Sequence, residues 1–244
     1  MKSKLLGAAL LVLALPLSAV AGVPVDIEVL DRKSGRVLPV YWHDGERHVA
    51  GEPGREYEIR LRNRGECRVL AVTAVDGVNV ITGRTASPAQ SGYVLDPWGL
   101  VEIDGWRKSM DEVAAFYFTA LPDSYAARTG RPDDVGVIGV ALFRERERPM
   151  PMESDYTARA EAKAPSRQDA RDAEESRLGT GHGRRLDSGA VYTAFERASS
   201  TPDEIIRIYY DSRKNLVARG IIPPHWHVAG RVPEPFPQAF VPDP

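Results

Sequence analysis

From Val23 to about residue 147 the apolar and polar positions alternate with period two. Val25, Ile27 and Val29 alternate with Asp26 and Glu28, and Tyr57, Ile59 and Leu61 alternate with Glu58, Arg60 and Arg62. Successive side chains of a strand point to opposite faces, so each run predicts a strand with one buried face and one wet face. Such alternation favours antiparallel sheets, because the strands of a parallel α/β sheet run almost wholly apolar. Val69 to Val75 and Val78 to Thr82 flank Asp76-Gly77, a pair suited to the positive φ values of a two-residue hairpin turn. Val37 to Trp42, returning after Asp44-Gly45, reads in the same way. Val101 to Ile103 (closed by Asp104-Gly105), Val113 to Thr119 and Val135 to Phe143 complete a set of short strands. Glu52-Pro53-Gly54, Asp96-Pro97-Trp98-Gly99 and Gly130-Arg131-Pro132 supply turn chemistry between them. No helical period of any length interrupts residues 23 to 108. Many short strands at this spacing predict a sandwich or small barrel.

After Phe143 the pattern changes. Arg144-Glu145-Arg146-Glu147-Arg148 precedes Pro149-Met150-Pro151-Met152, and 12 of the 25 residues from Glu153 to Arg177 are charged. Such a stretch buries too little apolar surface to offset its ordering entropy, so residues 148–185 read as a charged flexible linker. The linker ends in Leu178-Gly179-Thr180-Gly181-His182-Gly183. Three alternating glycines beside Arg184 and Arg185 resemble an anion cradle in composition, but a phosphate loop needs a preceding strand and a following helix. The expectation is a flexible or tightly turned loop.

Residues 186–222 read as a small strand–helix unit. Ala190 to Phe195 is taken as the strand. Thr201-Pro202-Asp203-Glu204 looks like a helix start, and Ile205, Ile208, Tyr209 and Leu216 fall on one helical stripe before Gly220. The pair is too small to stand alone, so the stripe packs on the sandwich or on another protein. The tail, 223–244, carries seven prolines and offers Phe236 and Phe240 as anchors.

Residues 1–21 read as a secretory signal: Lys2 and Lys4, an apolar run from Leu5 to Leu17, and Ala19-Val20-Ala21 before Gly22. The run is too short to span a bilayer, so the mature chain is expected to be exported, periplasmic or secreted, with no transmembrane segment. A formal charge of −2 argues against nucleic-acid binding. The single cysteine, Cys67, excludes an intramolecular disulfide. Its place ahead of Val69 predicts a small buried hydrophobe, with an intermolecular disulfide or a reactive thiol as the alternative.

No G-x-S-x-G or H-E-x-x-H occurs, and the acidic pairs sit side by side rather than across a cleft. His225-Trp226-His227 places two imidazoles on one face of an extended segment, but a metal centre needs three or four ligands. His43, His48 and His182 add no familiar ligand spacing, and no cofactor is expected.

Taken together the pattern predicts a mainly β protein. An antiparallel β-sandwich, immunoglobulin-like or similar, occupies 22–147, followed by the charged linker, the strand–helix unit and the Pro-rich tail. The expected role is an exported soluble binding or structural protein of the cell envelope with no evident catalytic site, not an enzyme. It would meet another envelope or secreted protein through Ile205, Ile208, Tyr209, Leu216, Phe236 and Phe240. The alternative is a secreted hydrolase or metal-binding protein using His182, His225 and His227.

Overall fold

A computed structural model describes residues 22–146 and 177–224. The expected signal segment, most of the linker, His225, His227, Phe236 and Phe240 lie outside the described residues. The strands are β1 (Val25–Asp31), β2 (Arg36–Val37), β3 (Val40–His43), β4 (Glu46–Gly51), β5 (Glu56–Asn63), β6 (Val69–Val75) and β7 (Val78–Asn79). They continue with β8 (Tyr93–Leu95), β9 (Leu100–Ile103), β10 (Gly105–Arg107), β11 (Glu112–Ala120), β12 (Val137–Arg144), β13 (Leu178–Asp187) and β14 (Glu204–Ser212). Two short α-helices, α1 (Tyr125–Arg128) and α2 (Arg213–Ala218), and one 3-10 turn (Leu121–Asp123) complete the described chain.

The strands form two sheets, and the chain is the β-sandwich its alternation predicts. One sheet runs β10-β11-β5-β1-β2, with β13 on β11 and β9 on β5; the other runs β3-β4-β14-β12-β6-β7, with β8 on β6. Every pairing is antiparallel except β14 with β4. Tyr57, Ile59 and Leu61 are fully buried, as their alternation requires. Phe116 and Phe118 enter the same core while Tyr117 faces outward. Rings from both sheets meet there: Tyr210 lies 5.4 Å from Phe118 and 6.5 Å from Tyr57 between centroids.

The hairpin turns use the expected residues. Asp44-Gly45 joins β3 to β4 with φ of 49° and 79°, and Asp76-Gly77 joins β6 to β7 with φ of 51° and 68°. Positive φ at both central residues is the primed turn that matches the twist of the flanking strands. β9 ends just before Asp104-Gly105 as expected, but no hairpin forms there. The chain runs on from β9 to β10 and changes partner from β5 to β11. A Cβ on Gly105 would lie 2.0 Å from the Ala114 carbonyl oxygen, so only glycine allows that crossing.

Several expectations about the C-terminal third are corrected. The Gly-rich run is strand β13, paired with β11 from Glu112↔Asp187 to Ala120↔Leu178. Its glycines make room for neighbours, since a Cβ on Gly181 would lie 2.2 Å from the Tyr117 ring and one on Gly179 2.6 Å from Ser124. The predicted helix from 201 is strand β14, and only Arg213–Ala218 is helical. Ile206, Ile208 and Tyr210 point into the core while Ile205 and Arg207 point out, a period-two reading that β-branched and aromatic residues favour. The helix-start residues bind distant backbone: Asp203 accepts from the Arg144 amide in β12 and Glu204 from the Val23 amide ahead of β1.

Residues 186–222 therefore form no separate unit. β13 extends one sheet, and β14 lies between β4 and β12 in the other. Ala190 to Phe195, read as a strand, is an irregular strap. Cys67 is exposed rather than buried, because it sits in the turn before β6.

Candidate functional site

The deepest polar feature links the two sheets. Asp76, fully buried at the β6–β7 turn, accepts from the Tyr210 hydroxyl (2.6 Å) and the Gly136 amide (2.9 Å) at Oδ1. Its Oδ2 accepts from the Thr180 amide at 2.8 Å. The Thr180 hydroxyl lies 2.6 Å from that of Tyr210 and 2.7 Å from that of Tyr57. Each hydroxyl has one proton, and Tyr210 spends its own on Asp76. The order that satisfies all four groups is Tyr57 to Thr180, Thr180 to Tyr210, and Tyr210 to Asp76. Burial pushes the Asp76 pKa up to about 6, against the pull of Tyr210, Gly136 and Thr180 as donors. Burial likewise pushes both tyrosines well above their ordinary value, with the Asp76 charge adding to it.

A raised carboxyl pKa is one mark of a general base. Here the geometry opposes that role. A base must reach a substrate proton, and Asp76 has no exposed surface and three protein donors in place. The network is a polar pin between the sheets.

A cleft of about 280 Å³ opens directly beside it. Its floor is Tyr210, Gly136 and Val137, the residues that hold or flank Asp76, and its rim carries Asp133, Asp134, Asp211, Arg177 and Arg219. The loop before β12 supplies the first two carboxylates. The β14 end supplies Asp211, the β13 start Arg177, and the end of α2 Arg219. Gly136 takes φ of 95°, and a Cβ there would lie 3.2 Å from the Tyr210 carbonyl and 3.5 Å from that of Leu178. Glycine thus keeps the floor clear of side-chain atoms. Asp134 lies over the β6–β7 turn, with its own Cβ 2.7 Å from where a Gly77 Cβ would sit. Arg177 donates to the Val135 carbonyl (2.7 Å), and Asp211 accepts from Ser212 and Asn215 at the start of α2.

Among the described residues, none of these three carboxylates lies within 4.0 Å of either guanidinium. The charges of both signs share one cleft without neutralising one another. The chain's other ion pairs close readily, such as Arg32 with Asp104 at 2.7 Å and Arg64 with Asp26 at 2.6 Å.

The predicted contact residues disperse. Ile208 and Leu216 are buried in the chain's own core and present nothing to a partner; Tyr209 is half-buried and Ile205 exposed. Leu216 packs with Ile221 and Ile222 against Tyr41 and Ala50 on the outer side of β3 and β4. His182 is exposed on β13, with its ring 5.7 Å from that of Tyr125. Partial desolvation, then the Lys108 charge, holds it below the ordinary histidine pKa. Among the described residues no group of three His, Cys, Asp or Glu side chains is placed to hold a metal ion. No helix among them is long and apolar enough to cross a membrane.

Sequence reasoning did not reach the pin or the cleft. Asp76 was visible only as a turn residue, and its partners Thr180 and Tyr210 lie 104 and 134 positions away. No family model, curated protein or solved structure matches the chain.

Proposed function

We propose that the chain is an exported, non-catalytic binding protein of the cell envelope, and that it binds a small polar molecule in the cleft beside the Asp76 pin. The observation that carries this reading is the set of unpaired charges. Asp133, Asp134, Asp211, Arg177 and Arg219 line one concave surface and form no ion pairs with one another. Convergent polar groups in a preformed recess are the usual makings of a ligand site. Export rests on residues 1–21, and the absence of chemistry on the sealing of Asp76. Native mass spectrometry of protein recovered from its own compartment tests both parts. The mature mass should begin at Gly22, and a small molecule should accompany the wild type and leave an Asp134→Asn/Arg219→Gln variant. A cleft equally empty, or equally filled, in both proteins overturns the reading.

One observation favours a protein partner as well. The strap between β13 and β14 is pinned at both ends. Arg107 donates to the Ser188 carbonyl, and the Ala190 amide donates to Met110. Further on, Arg68 reaches Thr193 and Ala194, and Arg197 lies over the Phe143 ring. Between those pins Val191 and Tyr192 stand 87% and 93% exposed. A held segment presenting an aromatic side chain loses little entropy on binding, as contact anchors do. This strap replaces the buried Ile208 and Leu216 as the place where such a partner would dock. Cross-linking from the native compartment should capture a partner with the wild type and fail with Val191→Ser/Tyr192→Ser.

A further inference from the structure

The charges in the cleft point to a class of ligand, an inference that rests on the cleft being a binding site. We propose that the cleft takes a free basic amino acid, bound through both its carboxylate and its cationic groups. Three carboxylates and two guanidinium groups line the recess, so a ligand that completes it carries more positive than negative charge. The two arginines demand that it also carry an anion. Arg presents paired donors that suit a carboxylate, and Arg219 has no side-chain partner of its own among the described residues. Asp133 and Asp134 likewise have no hydrogen-bond donor among the described residues, leaving their oxygens for ammonium or guanidinium groups.

Size narrows the class. About 280 Å³ lies at the low end of ligand pockets, below what drug-sized molecules fill. A dicationic amino acid fits the charge count within that space. A simple anion would leave three carboxylates unmatched, and a diamine would leave two guanidinium groups facing like charge. The carbonyl-lined floor around Gly136 offers acceptors rather than a greasy slot, which also disfavours an apolar side chain.

The experiment is a titration of the full mature chain at low ionic strength, where exposed charges are least screened. Amide resonances of Gly136, Tyr210 and Asp211 are followed while L-lysine is added, then cadaverine (lysine without its carboxylate), L-glutamate and L-norleucine. L-lysine should shift these resonances saturably, and glutamate and norleucine should not. Arg219→Gln should weaken L-lysine by at least about tenfold and leave cadaverine unchanged or tighter, because only lysine has the anion that Arg219 meets. Asp133→Asn/Asp134→Asn should weaken both. An equal loss of lysine and cadaverine in Arg219→Gln overturns the two-ended recognition. Saturable shifts with glutamate or norleucine in place of lysine overturn the ligand class and leave the cleft as a site. Silence with all four probes overturns the class and counts against the cleft as well.

Discussion

The hydroxyls of Thr180 and Tyr210 lie 2.6 Å apart across the sandwich, one on the last strand of each sheet, and the carboxyl of Asp76 accepts from the Tyr210 hydroxyl and from the Thr180 backbone amide. That carboxyl titrates near 6 in the folded chain against 3.8 ordinarily, because burial penalises its charge more than its hydrogen-bond donors reward it. The folded state therefore holds the proton more tightly than the unfolded state. Between the two values stability from this group falls as pH rises, and above about 6 the full penalty applies. The two pKa values differ enough for about 3 kcal/mol. Other carboxylates titrate over the same range, so the informative quantity is the difference between wild type and Asp76→Asn. Urea unfolding should show the wild type gaining on the variant by about 2 kcal/mol from pH 7 to 4.5. A difference that is flat with pH would mean Asp76 does not carry the shift.

The direction of the hydroxyl chain sets an order of costs. Tyr210 both donates to Asp76 and accepts from Thr180, whereas Tyr57 only donates at the far end. Tyr210→Phe leaves two buried groups short of a partner and should cost about 1–3 kcal/mol, and Tyr57→Phe less, about 0.5–1.5 kcal/mol. The double variant Thr180→Val/Tyr210→Phe should cost less than the sum of its parts, since both remove the same link. Additive losses, or a larger cost for Tyr57→Phe, would reverse the donor order.

How much of this was legible follows from distance along the chain. Tyr57, Ile59 and Leu61 alternate within five residues, and Asp44-Gly45 and Asp76-Gly77 dictate their own turns, so the sandwich and two hairpins could be read locally. The segment Glu204–Ser212 was ambiguous in itself. Its isoleucines and tyrosines satisfy a helical stripe at 205, 208 and 209 and a strand face at 206, 208 and 210. What decided it was the open edge of β12 and the parallel edge of β4, which no local pattern records. The same holds for the Gly-rich run, whose meaning depends on Tyr117 lying opposite Gly181. The pin joins residues more than a hundred positions apart, and the cleft gathers separate segments between Asp133 and Arg219, so neither had a local signature.

Strand β13 gives a direct test of that correction. A Cβ on Gly181 meets the Tyr117 ring at 2.2 Å, whereas one on Gly139, in β12, meets nothing within 4 Å. Gly181→Ala should cost about 1–3 kcal/mol through displacement of the ring. Gly139→Ala should be neutral or slightly stabilising, because it loses less chain entropy on folding. Thermal unfolding of the two variants checks this. If Gly181→Ala matches Gly139→Ala, residues 178–187 do not pair with β11 in solution.

A second titrating group acts in the opposite sense. His48 on β4 is 1% exposed, stacked on Tyr209 at 5.6 Å, with no hydrogen-bond partner for Nδ1. Its surroundings are His43 at 6.4 Å, Glu46 with 3.7 Å between Nε2 and Oε2, its strand neighbour Tyr41, to which Arg213 donates, and Arg219 at the end of α2. Burial, then the Arg219 charge, holds the imidazole below its ordinary 6.5, with only Glu46 pulling upward. The unfolded state thus takes up the proton first. Stability from His48 is complete above about 6.5 and is lost as pH falls through the lower folded value. Tyr41 links this histidine to the cover formed by Leu216, Ile221 and Ile222, so the loss should appear there first. Hydrogen-exchange protection of the Arg219, Ile221 and Ile222 amides should drop between pH 7.5 and 5.5 in the wild type. In His48→Phe, which keeps a ring on Tyr209 but cannot be charged, it should hold. Equal loss in both proteins would place the acid sensitivity of this corner on another group.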